Sequence, residues 1–149
     1  MLLEHPGLQS AGALIINQLS GDVIYEKNAD TITPMASITK LMTAMVVLDA
    51  NLPLNELISI SSEDFDTLKG TSSRLAAGTT LTRGEMLLLA LMSSENRAAS
   101  ALSRHYPGGH GAFIRAMNQK AASLGMSHSK FFDATGLNPG NVSTARELA

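Results

Sequence analysis

The sequence predicts an α+β fold, a β-hairpin followed by a region of packed helices, and three observations carry that prediction. Two apolar runs, Ala11 to Asn17 and Val23 to Lys27, flank Gln18-Leu19-Ser20-Gly21-Asp22, whose glycine and aspartate supply turn chemistry. Two other stretches, Leu41 to Ala50 and Arg83 to Met92, are apolar nearly all round, as helices running through a core must be. With 149 residues, 44% of them hydrophobic and 16% charged, the chain can bury a core of its own as one globular unit.

Residues 1–10 read as an N-terminal tail. Met1-Leu2-Leu3-Glu4-His5-Pro6 has neither the basic start nor the long apolar stretch of an export signal, so any such signal is expected to be gone already. In the hairpin, Leu14, Ile15, Ile16, Val23, Ile24 and Tyr25 suit a sheet covered on at least one face. Two strands alone are marginal in water, so the hairpin is expected to pack against the helix that follows Ser37. Thr33-Pro34-Met35-Ala36-Ser37-Ile38-Thr39-Lys40 opens that helix, with a proline whose fixed φ and missing N–H suit a helix approach. Asn51-Leu52-Pro53-Leu54 breaks the pattern, Leu57 to Ser61 is a short strand-like piece, and the polar stretch from Ser62 to Thr80 carries no assignable element.

Thr82-Arg83-Gly84-Glu85 matches a capping box, in which hydroxyl and carboxylate satisfy free N–H groups at the start of the Arg83 to Met92 helix. Ser93-Ser94-Glu95-Asn96 interrupts it with short polar side chains that compete for backbone hydrogen bonds, before a second helix from Arg97 to about His105. Pro107-Gly108-Gly109 ends that helix. Another follows from Gly111 to Leu124, with Ile114, Met117, Ala121 and Leu124 on one stripe and Gly125 as its stop. Thr144-Ala145-Arg146-Glu147 is a second capping box and starts a helix close to Ala149.

Composition excludes several functions. The net charge of −2 and the lack of a Lys/Arg-rich run argue against a nucleic-acid partner, which needs a concentrated basic footprint. There are no cysteines, and His5, His105, His110 and His128 are scattered without ligand spacing, so no metal site and no cofactor is expected. The longest apolar runs, Leu41 to Leu48 and Met86 to Met92, are far below the ~20 residues of a transmembrane helix.

The candidate chemistry lies at two points. Ser37 and Lys40, three apart, share one helix face a turn from each other, with the hydroxyl near the helix N-terminus where backbone N–H groups favour developing negative charge. The bland alternative is an N-cap serine and a solvated lysine. The same spacing recurs at Ser127-His128-Ser129-Lys130, but that copy follows the Gly125 stop and runs into Phe131-Phe132-Asp133 with no buried helix behind it, so only the first is placed for catalysis. Ser94 and Asn96 form the second point, whose bland alternative is an ordinary kink between helices. A serine is a weak nucleophile until a base takes its proton, and a lysine serves as that base only where its neutral form is accessible. A second hydroxyl can relay the proton, and a carboxamide can hold a substrate amide.

Ser37-Ile38-Thr39-Lys40 followed by Ser94-Glu95-Asn96 resembles the first two of three signatures of the penicillin-binding proteins and serine β-lactamases, Ser-x-x-Lys, Ser-Asp-Asn and Lys-Thr-Gly. The likeness runs over roughly Ser10 to Ala149, through Leu14-Ile15-Ile16-Asn17, the Leu41 to Ala50 helix, Met86 to Ala99 and Asn141-Val142-Ser143-Thr144-Ala145-Arg146. It implies a serine DD-peptidase in which Ser37 attacks a D-alanyl peptide bond of peptidoglycan, Lys40 is the general base, Ser94 shuttles the proton and Asn96 binds substrate. A penicillin would acylate Ser37 and stay, and the periplasm would be the place of action. The Ser37 N–H would form half of an oxyanion hole, worth ~2.7 to 4 kcal/mol by donor deletion.

The resemblance also implies a DD-peptidase/β-lactamase-like fold, with residues 1–149 a partial transpeptidase-like domain holding the hairpin and helices. The remaining strands and the Lys-Thr-Gly motif would lie beyond Ala149, because Lys69-Gly70-Thr71 has the wrong order and place and reads as a polar turn. The chain alone is therefore expected to be catalytically poor, with exposed sheet edges that favour self-association or pairing with a second fragment. A DD-carboxypeptidase satisfies the same motifs as an endopeptidase. A β-lactamase needs a deacylating carboxylate, and Glu95 and Asp133 read instead as structural or solvated. A non-catalytic fragment that binds peptidoglycan or a partner is the alternative of a different class.

Overall fold

The hairpin forms where its turn residues place it in the computed structural model, which describes residues 6–149. Strand β1 (Ala13–Ile16) pairs antiparallel with β2 (Val23–Lys27). Asn17 closes the turn through its Oδ1, which accepts the N–H groups of Leu19 and Ser20 at 2.9 and 3.2 Å, and Gly21 takes a φ of 77°. Of the expected tail, Met1 to His5 lie outside the described residues, while residues 6–10 are exposed and in neither helix nor strand.

Two shorter antiparallel ladders follow, β3 (Thr33–Pro34) with β6 (Val142–Ser143), and β4 (Leu57–Ser59) with β5 (Thr80–Thr82). Among the described residues each ladder has two strands. Four helices supply the bulk: α1 (Thr39–Asp49), α2 (Arg83–Met92), α3 (Asn96–Arg104) and α4 (Gly109–Ser123). The short α5 (Ala145–Leu148) ends the chain. None of them is long and apolar enough to cross a membrane.

The local signals act as read. Thr82 Oγ1 accepts from the Glu85 N–H at 3.1 Å, and the Glu85 carboxylate accepts from the Thr82 N–H at 2.8 Å, closing the capping box. Gly125, at a φ of 77°, stops α4, and the Met126 N–H returns to the Ala121 carbonyl at 2.9 Å. The core lies between the four helices, where Met42, Val46, Met86, Ala90, Leu102, Phe113 and Met117 meet Ile58 and Ile60. Ala98, Ala99 and Ala101 are fully buried, so α3 sits at the centre where only small side chains leave room for its neighbours.

Two expectations are corrected. The hairpin does not rest on α1: its main helical neighbour is α5, whose Arg146 N–H reaches the Ala29 carbonyl at 3.0 Å and whose guanidinium pairs with Glu26 and Asp30. Ion pairs from Arg146 help dock it, and Val23 and Ile24 stay about half exposed (48% and 55%). Nor are α1 and α2 buried all round. Leu41, Met45 and Leu48 remain 58%, 37% and 51% exposed, because their spacing puts them on one stripe turned away from α2, α3 and α4. Ile38, Leu41 and Met45 line an apolar groove together with Leu124, Met126 and Leu148. On α2, Leu88, Leu91 and Met92 are likewise exposed.

Candidate active site

Ser37 stands in a single 3-10 turn (Ala36–Ile38) between β3 and α1, made by three local features. Pro34 ends β3, Met35 is buried at 5% exposure, and Ala36 takes a left-handed φ of 49° that is uncommon for a residue with a Cβ. The turn leaves Ser37 exposed while Thr39 and Lys40, one step further, are at 0% and 3% exposure. Ser94 sits in a comparable joint. The Ser93 and Glu95 N–H groups both return to the Leu89 carbonyl, and Ser94 between them has a φ of 50°.

The structure brings Ser37, Lys40 and Ser94 together. The Lys40 ammonium donates to Ser94 Oγ at 3.0 Å, to the Thr135 carbonyl at 3.0 Å and to Ser37 Oγ at 3.4 Å. No carboxylate forms an ion pair with it among the described residues. Burial pushes the Lys40 amine below the usual lysine range, and the charges of Asp133 and Glu95 oppose that shift without cancelling it. An amine that gives up its proton more readily than an ordinary lysine, within reach of two hydroxyls, suits proton abstraction from a serine and onward relay.

Asn96 opens α3 and lines a cavity with Asp66, Leu68, Asp133 and Thr135. Its Nδ2 donates to Thr71 Oγ1 at 3.2 Å, and no hydrogen bond joins it to Ser37, Lys40 or Ser94. Thr71 belongs to the stretch without assignable elements, and that stretch is held by three consecutive residues around the second motif. Glu95 accepts from Ser73 Oγ at 2.6 Å, Asn96 holds Thr71, and Arg97 donates to the Leu75 carbonyl at 2.7 Å while stacking 3.8 Å over the Phe65 ring. Glu95, expected to be structural or solvated, is bound to Ser73. Lys69-Gly70-Thr71 is a turn gathered by Asp66, whose carboxylate accepts the N–H groups of Leu68, Lys69 and Thr71 and is held down to about 2 by them. In the second Ser-x-x-Lys copy, Lys130 pairs backbone to backbone with Val142 and Ser127 contacts His128; no hydrogen bond joins Ser127 to Lys130.

Sequence reading missed the third partner of Lys40. Thr135 contributes a backbone carbonyl, which no residue type announces. Asp133 and Gly136 around it carried the turn signal that could have marked the loop. Gly136 takes a φ of 90°, and a Cβ there would overlap the Ala36 carbonyl, so the loop backs directly onto the peptide preceding Ser37. Asn141, at 0% exposure, joins the same loop to the start of α1; the sequence showed it only as the first residue of the Asn141 to Arg146 likeness, because a lone asparagine has no pattern that gives it a role.

Known proteins share this arrangement of chain. A family model described as D-alanyl-D-alanine carboxypeptidase matches residues 2–149. The D-alanyl-D-alanine endopeptidase of Pseudomonas aeruginosa is 52% identical over 141 residues, covering 95% of this chain and 46% of that protein. This chain therefore spans about half the length of the curated relatives it matches. The crystal structure of the Streptomyces K15 DD-transpeptidase superposes with a TM-score of 0.89 at 31% identity, over 98% of this chain and 60% of the other. Penicillin-binding protein D2 of Listeria monocytogenes, in its cefotaxime-bound form, gives 0.80 at 30% identity, over 98% and 61%. The α+β DD-peptidase fold implied by the motifs is the fold observed, and the chain belongs to the D-alanyl-D-alanine carboxypeptidase family.

Proposed function

We propose that the protein to which this chain belongs is a serine DD-endopeptidase that hydrolyses D-alanyl cross-links in peptidoglycan through an acyl-enzyme on Ser37. The observation that carries this reading is the buried Lys40 amine, drawn below the usual lysine range and set between the Ser37 and Ser94 hydroxyls. Neutral Lys40 takes the Ser37 proton as Oγ bonds to the D-alanyl carbonyl carbon. The tetrahedral oxyanion is met by the Ser37 N–H at the head of α1. Ser94 passes the proton to the departing amine as the peptide bond breaks, and water then hydrolyses the ester. Asn96 exchanges Thr71 for a substrate amide. The endopeptidase preference rests on the P. aeruginosa relative, and the same chemistry fits a carboxypeptidase.

On this reading residues 1–149 are the N-terminal part of a transpeptidase-like domain acting in the periplasm, and β-lactams acylate Ser37 irreversibly on the time scale of turnover. The cefotaxime-bound relative supports the second point. This chain contains no Lys-Thr-Gly sequence, and we expect it to turn over substrate poorly by itself. Its two-stranded ladders and the exposed Leu41–Met45–Leu48 stripe favour association with itself or a second fragment, which sedimentation at several concentrations measures.

Intact mass before and after incubation with a penicillin tests the central claim. The relative-length protein is expected to gain one adduct, mapping to Ser37 and absent in Ser37→Ala. An adduct that survives Ser37→Ala sinks the assignment.

A further inference from the structure

Two of the groups around Lys40 take part in the proposed chemistry, and the third is the carbonyl of Thr135, 95 residues away in sequence. A backbone carbonyl cannot be changed by substitution; it can only be placed. Two side chains place this one. The Asp133 carboxylate gathers its own loop, accepting from Thr135 Oγ1 at 2.9 Å, the Gly136 N–H at 2.9 Å and the Asn138 N–H at 3.0 Å. Asn141 ties that loop to the head of α1. Its Nδ2 donates to Asp133 Oδ1 at 2.8 Å, to the Asp133 carbonyl at 3.1 Å and to Thr39 Oγ1 at 3.1 Å. Its Oδ1 accepts from the Phe132 N–H at 2.7 Å, and its backbone carbonyl accepts from the Met35 N–H at 3.0 Å.

The partners of Asn141 thus lie on both sides of the seam between the 131–141 loop and the turn that carries Ser37. Thr43 Oγ1, donating to the Ala134 carbonyl at 2.8 Å, adds a second stitch one turn further along α1. A buried side chain with every polar valence used fixes its neighbours closely, because any shift leaves a desolvated group unpaired.

We propose that Asn141 and Asp133 are positioning residues for the base, locking the Thr135 carbonyl onto the Lys40 amine and holding both in register with Ser37. The proposal rests on the serine acyl-transfer reading for the role of Lys40. Two acidic groups face that amine, Asp133 from the loop and Glu95 from the head of α3, and both favour the ammonium form against burial. The lock therefore has a geometric and an electrostatic part that move Lys40 in opposite directions. Loosening the seam admits water and raises the Lys40 pKa toward the ordinary lysine value. Removing the Asp133 charge lowers it.

The test follows the Lys40 Cε resonance of the 149-residue chain with pH after 13C-lysine labelling, assigned by its loss in Lys40→Arg, alongside the rate and pH profile of Ser37 acylation by a fluorescent penicillin in the full-length protein. Asn141→Ala and Thr39→Val are expected to raise the Lys40 midpoint, Asp133→Asn to lower it, and Thr39→Ser, which keeps the acceptor hydroxyl, to restore it. Acylation by Asn141→Ala is expected to fall about 100-fold, the scale of an ångström-level misplacement of reacting groups. Should Asn141→Ala fail to fold, the Thr39 pair carries the same question. An unchanged Lys40 midpoint in folded Asn141→Ala and Thr39→Val, with only Tm lowered, reduces the cluster to a structural role and overturns the proposal. Full-length wild-type protein that never acylates removes the acyl-transfer reading instead, while the resonance still decides whether the lock exists.

Discussion

Ala36 and Ser94 hold left-handed backbone on either side of one lysine, and each is the residue through which a hydroxyl is aimed at that lysine. Non-glycine residues in this region cost of order 1 kcal/mol or more, so the surrounding contacts must over-determine them. At Ala36 the over-determining neighbour is Gly136. Gly136→Ala combines a left-handed φ with overlap against backbone that cannot swing aside, and is expected to cost about 3 kcal/mol. A denaturant melt measures the loss, and acylation of Ser37 should fall with it. Lys40 shows the opposite balance. Its folded pKa is depressed from 10.5, so between that lowered value and 10.5 the unfolded chain binds more protons and stability rises with pH. Below the window, holding the ammonium in place is a full burden on the fold. Lys40→Met is therefore expected to raise Tm at pH 7, with the gain shrinking as pH approaches 10.5.

Each element that formed as read did so under a rule contained within a few residues: the Asn17–Asp22 turn, the Thr82–Glu85 box and the Gly125 stop. The loop gathered by Asp66 belongs with them and has its own pH signature. The Asp66 carboxyl is held at about 2 against an ordinary 3.8, so its anchoring is complete above about pH 4 and is lost as pH falls through about 2. Amide exchange at Leu68, Lys69 and Thr71 is expected to quicken across that range and, in Asp66→Asn, to be quick already at neutral pH. What the sequence did not show is pairing at a distance. Thr33–Pro34 finds Val142–Ser143, and Leu57–Ser59 finds Thr80–Thr82, in ladders too short to leave a periodic pattern. For the candidate site, spacing and family likeness singled out Ser37, Lys40 and Ser94, whose side chains the fold brings together. The carbonyl of Thr135 was invisible because every residue has one, and the Asn96 partner Thr71 lay in a stretch with no periodicity to place it. The apolar runs of α1 and α2 showed which residues avoid water but not what lies against each face, which is how two half-exposed helices came to be read as buried.

Across the whole molecule, those helices divide the apolar residues into two populations. Phe113→Ala, at a fully buried position that meets the Tyr106 ring edge-on at 5.2 Å between centroids, is expected to cost 3–5 kcal/mol. Leu41→Ala, on the open stripe, should stay within about 0.5 kcal/mol, so paired thermal melts locate the core. The reach of the site across the chain has a further consequence, one of timing. Lys40 meets partners 3, 54 and 95 residues away, and closing the last of those contacts spans most of the sequence. Long closures are made late, since the entropy lost in bringing distant segments together precedes any contact that rewards it. During synthesis Ser37 and Lys40 emerge together, Ser94 follows, and Thr135 comes last of the four. On the proposed chemistry, the Ser37 hydroxyl therefore exists well before Lys40 is held in place, and a nascent chain carries an inert serine until the 131–141 loop has docked.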